Sequence, residues 1–92
     1  MIVVAGHLRL KPGSRESFLQ QSLPAVELAR TTSGCKDFAV SPDVVDPDRV
    51  NIFELWETSE ALETFRQDGP SEDLSASILS ASVEQYEIRS SG

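Results

Sequence analysis

Aliphatic and β-branched residues run almost unbroken from Ile2 to Leu10 and stop at Lys11-Pro12-Gly13, which predicts a first strand over 2–10. Ser14 then suits a helix N-cap, with Glu16 placed to favour the positive end of the helix dipole. Phe18, Leu19, Leu23, Val26 and Ala29 recur at helical spacing as far as about Thr32. Pro24 falls inside this pattern, so the segment either kinks there or divides into two short helices with Pro24 opening the second. Ser33-Gly34 ends the helix, the glycine supplying a left-handed cap. Residues 35–44 read as a second strand, with Pro42 marking an edge or a bulge near its end. Asp46-Pro47-Asp48-Arg49 has turn chemistry, and 50–57 forms the third strand, so 35–57 is a hairpin. Thr58 or Ser59 caps a second helix whose buried stripe is Ala61, Leu62 and Phe65, and Asp68-Gly69-Pro70 breaks it. From Ser71 to about Ala81 the spacing of Leu74, Ile78 and Ala81 predicts a further helical turn or two. A last strand follows over 82–89, then a Ser-Ser-Gly tail.

The order β-α-β-β-α-β, with a split second helix, is the ferredoxin-like α+β plan, expected as one domain over 1–92 with its core in about 2–89. Ninety-two residues bury only about 60–65% of the surface of the unfolded chain, and with Cys35 the only cysteine no disulfide can add support. A sheet this short gains from covering its second face, so a homodimer is expected on physical grounds. Fifteen acidic and eight basic residues give a net charge of −7, which argues against nucleic acid as a partner. No stretch has the basic amphipathic face of a membrane-surface helix, and none has the length of a membrane span. The N-terminal segment reads as a strand rather than a leader peptide, and with a single thiol the expected location is the cytoplasm.

One His and one Cys, with carboxylates scattered over turns and helix faces, make no metal-ligand cluster. There is no glycine-rich phosphate loop and no nucleophile elbow. What stands out is Glu54-Leu55-Trp56. Alternation puts Val50, Ile52, Glu54 and Trp56 on one face of the third strand, so a carboxylate lies two residues from the only tryptophan. Buried, Glu54 needs a partner; at an edge, it is a solvated neighbour of a packing Trp56. His7 is the only group whose ordinary pKa lies near neutrality. It shares a strand face with Ala5 and Arg9, opposite Val4, Gly6, Leu8 and Leu10, so it serves either a dimer face or a catalytic role. Cys35 reads as a small buried apolar group, and Phe18, Phe38 and Phe53 as core. Tyr86 fits a core position with its hydroxyl at a rim, or a donor to a ligand.

Along nearly its whole length the chain resembles an antibiotic-biosynthesis-monooxygenase domain. The stations that carry the resemblance are the first strand with Lys11-Pro12-Gly13, and Ser33-Gly34-Cys35 followed by Phe38 and Val40. The Asp46-Pro47 turn, Glu54-Leu55-Trp56-Glu57 and Ser59-Glu60-Ala61-Leu62 complete the set. The resemblance implies a dimeric α+β barrel of two face-to-face sheets, with a small ligand cleft in each subunit between sheet and helices. It also implies oxidation of aromatic polyketides or quinols by molecular oxygen, usually with no metal or flavin. Haem-degrading relatives use a strand-three Trp, a strand-one Asn and a second-helix His. Trp56 matches the first, but Gly6 stands at the Asn position and Phe65, or Arg66 one residue on, at the His position, which speaks against haem.

The expected function is therefore cofactor-independent oxidation of a small phenol, anthrone or quinol by O2. Glu54 or His7 is the candidate proton acceptor; Trp56, Phe65, Phe38, Tyr86 and Arg66 are the candidate substrate contacts. The alternative is a non-catalytic dimeric barrel that binds a small metabolite or a partner protein.

Overall fold

The computed structural model of the chain describes residues 1–68 and 74–89. The elements are β1 (Ile2–Leu10), α1 (Arg15–Arg30), β2 (Cys35–Pro42), β3 (Arg49–Trp56), α2 (Ser59–Asp68), a 3-10 turn (Ser75–Ser77) and β4 (Ile78–Glu87). The strands form one antiparallel sheet in the order β2-β3-β1-β4, the ferredoxin-like arrangement. Both helices lie on one face. Ile2, Val4, Phe38 and Trp56 rise from the sheet to meet Val26 and Ala29 of α1 and Leu62 of α2. A second cluster of Leu10, Phe18 and Val50 closes the other end. Each aliphatic or Phe side chain so buried contributes about 1.5–3 kcal/mol relative to exposure.

Helix α1 is continuous through Pro24. The bond that proline cannot donate would have gone to Gln20, and both residues are exposed, so no buried carbonyl is orphaned by its loss. The buried stripe is Phe18, Ser22, Val26 and Ala29, with the Ser22 hydroxyl donating to Leu19 O at 2.8 Å. Leu23, expected in the stripe, is instead 55% exposed. Ser14 sits at the N-cap, but its hydroxyl donates to Lys11 O rather than capping the helix. The helix ends at Arg30, earlier than expected, and Gly34 (φ +88°) belongs to the turn that follows. A Cβ on Gly34 would come within 2.6 Å of Ala61 Cβ, so its absence lets β2 begin flush against α2.

The β2–β3 turn is tied from within and from without. Asp43 Oδ2 accepts from the backbone N–H groups of Val45 and Asp46, and Asp46 Oδ1 accepts from Asp48 N–H. Arg15, at the start of α1, donates through Nη1 to the carbonyls of Asp43, Asp46 and Arg49 at 3.0, 2.9 and 3.4 Å. β2 is an edge strand and ends at Pro42, while its bulge falls between Cys35 and Asp37.

The largest departure from the sequence reading concerns residues 71–81. Among the described residues, only the 3-10 turn Ser75–Ser77 is helical, and β4 begins at Ile78, paired with Leu10. Residues 69–73, which hold the predicted break and the start of that helical turn, lie outside the described residues, as does the Ser-Ser-Gly tail. Where β4 crosses β1, Gly6 adopts φ +154°, and a Cβ there would strike the Ser82 carbonyl oxygen.

Opposite the helices, the register aligns Asp37, Leu55, Val3 and Tyr86 in one row, and Ala39, Phe53, Ala5 and Glu84 in the next. Farther along, Ser41, Asn51, His7 and Ser82 make a polar row.

Candidate functional site

Period-two alternation places Glu54 and Trp56 on the helix-facing side of β3, one row apart. The cross-strand neighbours of Glu54 are Val4 and Phe38, both buried. A carboxylate among such groups needs a donor, and Trp56 supplies it: Nε1 donates to Glu54 Oε1 at 3.0 Å. Burial raises the Glu54 carboxyl above the ordinary glutamate range, while the indole hydrogen bond and the Arg66 charge pull it part of the way back.

Aromatic rings complete the surroundings. Phe65 reaches down from α2, its ring centroid 5.3 Å from that of Trp56 and 5.6 Å from that of Phe38, the latter edge-on at 64°. Cys35 packs beside this cluster, and its thiol donates to Asp37 O at 3.5 Å. Burial and the neighbouring Glu54 charge push that thiol up, away from the reactive thiolate.

Among the described residues, a groove and a recess adjoin the region. A groove of about 240 Å³ runs between the helices, lined by Leu28, Thr32, Thr64 and Phe65. A more polar recess of about 510 Å³ lies at one end of the sheet, lined by Met1, Ile2, Glu57, Thr58, Ser59, Gln85 and Glu87. Trp56 lines neither; its side chain has 0% exposure.

Of the residues singled out from sequence, the fold brings Glu54, Trp56, Phe38 and Phe65 together, with Arg66 at the rim acting through its charge. It separates His7 and Tyr86 from them. His7 pairs with Asn51 and Ser82, and Tyr86 with Val3, all on the sheet face turned away from the helices. Within one chain, His7 therefore cannot share a reaction with Glu54, nor Tyr86 a ligand with Trp56. Leu28, Thr32 and Thr64 were not anticipated. The available signal was Leu28, an apolar residue outside the buried stripe of α1 and 43% exposed.

The family model for antibiotic biosynthesis monooxygenases matches residues 1–75. The chain belongs to the antibiotic biosynthesis monooxygenase family. A curated relative, an uncharacterized protein of Synechocystis sp., is 32% identical over 62 residues, 67% of this chain. The chain spans only 42% of that relative's length. Among solved structures, a candidate monooxygenase of this family from Nitrosomonas europaea superposes with a TM-score of 0.83 at 17% identity, covering 95% of this chain and 97% of that one. A Pseudomonas aeruginosa protein gives 0.82 at 19% identity, covering 97% and 94%. A haem degrader of Mycobacterium tuberculosis, with two haems bound in its active site, gives 0.69 at 16%, covering 96% and 95%. At these identities the structural likenesses establish the family fold. The residues here do not fit a haem: Phe65 and Arg66 offer no neutral nitrogen ligand on α2, and the only histidine, His7, is on the far face.

Proposed function

We propose that the chain is a cofactor-independent monooxygenase acting on a small phenol, anthrone or quinol, with its site between the sheet and the two helices. The observation that carries this is the Glu54–Trp56 pair: a carboxylate with raised proton affinity, held by an indole donor inside an aromatic enclosure. A carboxyl tuned upward by burial is a better proton acceptor near neutral pH than a solvated one. Taking a proton from the substrate leaves an electron-rich anion that can reduce O2 itself. For an anthrone, the methylene carbon loses both hydrogens and gains one oxygen atom as a carbonyl. The second oxygen atom leaves with those hydrogens as water, so no outside reductant is needed. Phe65 supplies the apolar and stacking contact, Phe38 and Trp56 close the wall behind it, and Arg66 at the rim favours the anionic form.

The functional unit we infer is a homodimer joined through the sheet face that carries Phe53 and Tyr86, 39% and 51% exposed in the single chain. This places His7 between subunits rather than in the cleft.

Oxygen uptake with a panel of anthrones and quinols tests the reading. One O2 should be consumed per substrate, and Glu54→Gln should lower turnover by about a hundredfold or more with little change in binding. The complete burial of Trp56 favours the second reading, a barrel that binds a metabolite or a partner protein without turnover. Absence of oxygen uptake by the wild type across the panel would select it.

A further inference from the structure

The groove between α1 and α2 and the Glu54–Trp56 pair lie on either side of one side chain. Phe65 lines the groove with Leu28, Thr32 and Thr64, and the same half-buried ring packs against Trp56 and Phe38. The indole behind it has no exposed surface. At about 240 Å³ the groove is smaller than the roughly 300–1,000 Å³ of typical ligand pockets. It admits a small ring only as far as Phe65. Turning the Phe65 ring away from Trp56 would merge the groove with the space it vacates and bring a ligand to the Glu54 carboxyl. The contacts holding the ring are apolar and edge-on or tilted, with no hydrogen bond to break. The groove walls are mainly apolar, from Leu28 and Phe65, and suit an aromatic ring; Thr64 adds a hydroxyl, while the Thr32 hydroxyl already donates to Leu28 O at 2.7 Å and has only its oxygen left to accept from a ligand.

We propose that Phe65 is a gate: its ring closes Trp56 and Glu54 from the inter-helix groove, and its displacement admits a small hydroxylated aromatic to them. The inference rests on the reading of this region as the ligand site. It makes Phe65 a specificity-determining residue, because the space its movement opens limits the ring system that can enter.

Trp56 is the only tryptophan, so its fluorescence reports directly from behind the gate. The probe is 4-nitrophenol, which absorbs in the range of tryptophan emission and should quench Trp56 when bound beside it. In stopped-flow mixing, the wild-type quenching rate should level off as probe concentration rises, because opening becomes limiting. In Phe65→Ala the rate should instead rise in proportion to concentration, and acrylamide should quench Trp56 severalfold more strongly than in wild type. Phe65→Leu, which keeps bulk but not the ring, should fall between. A wild-type rate proportional to concentration, with the same slope as in Phe65→Ala, would overturn the gate while leaving the aromatic site intact. Loss of cooperative folding in both variants would also overturn it, since the ring would then be a structural support. Strong acrylamide quenching in Phe65→Ala without 4-nitrophenol binding to either protein would uphold Phe65 as the barrier and count against the phenolic ligand.

Discussion

Trp56 donates its indole N–H to the Glu54 carboxylate at 3.0 Å, and the two side chains stand one row apart on the same face of β3. The contact is local in sequence, yet it joins the largest fully buried side chain among the described residues to a carboxylate whose cross-strand neighbours are buried. Trp56→Phe keeps an aromatic ring and removes the donor. Glu54 should then hold its proton more strongly, since a bond that favoured the charged form is gone. Stability should fall by about 1–3 kcal/mol, the scale of leaving a buried polar group without its partner. The Glu54 carboxyl resonance through a pH titration and a urea midpoint measure the two effects; an unmoved titration would show that the hydrogen bond does not act in solution.

Two carboxyls should shape the pH dependence of stability in opposite senses. The folded state raises Glu54, so its contribution favours folding at low pH and is lost as pH rises through the folded value. Asp43 is lowered to about 2 by hydrogen bonds from the Asn51 side chain and the Asp46 and Val45 backbone, assisted by the Arg49 charge. Its contribution is full above the ordinary aspartate value and is lost as pH falls toward about 2. Glu54→Gln should therefore gain on wild type as pH rises above the glutamate range, and Asp43→Asn should flatten acid unfolding. Chemical denaturation at a series of pH values separates them.

Gly6→Ala should destabilise strongly. The backbone at φ +154° disfavours any side chain, and the new methyl would meet the Ser82 carbonyl of β4. The strained backbone alone costs about 1–3 kcal/mol, and displacement of β4 adds to it. An unchanged melting temperature would mean that β4 pairs with β1 less closely than the structure has it.

The sheet face away from the helices should bind a second copy. Sedimentation at micromolar concentration should give twice the mass of one chain, and Phe53→Arg, between Ala39 and Ala5 on this face, should give one chain mass with its circular dichroism retained. A monomeric wild type would remove the dimer from the proposal.

Sequence made the sheet-forming segments readable where local chemistry decided them. The apolar run of β1 and the aspartate-rich turn before β3 leave few alternatives. Residues 74–81 were different, because Leu74, Ile78 and Ala81 satisfy a helical spacing equally well. What makes Ile78 a strand residue is its partner Leu10, far away in sequence, and such a pairing leaves no local trace. The candidate site divides in the same way. That Glu54 and Trp56 share a face follows from period two, and their hydrogen bond extends that inference. That Phe65 lies over Trp56 while Tyr86 faces the opposite side depends on how α2 docks and on the β1–β4 register. Ser22 displaced Leu23 from the buried stripe because a hydroxyl that can bond back to its own helix can be buried without an outside partner.

The guanidinium of Arg15 gathers three carbonyls of the β2–β3 turn, 28 to 34 residues farther along the chain. In folding terms this is a latch that can close only after both of its parts exist. The hairpin can form early, since its strands are neighbours, but its tip gains the Arg15 bonds only when the first turn of α1 has been wound and docked. Amide exchange at the tip should therefore slow together with that first turn rather than with the rest of the hairpin. Lengthening this loop, normally the part of a domain most tolerant of insertion, should carry an unusual penalty, because each added residue moves a carbonyl away from the same cation.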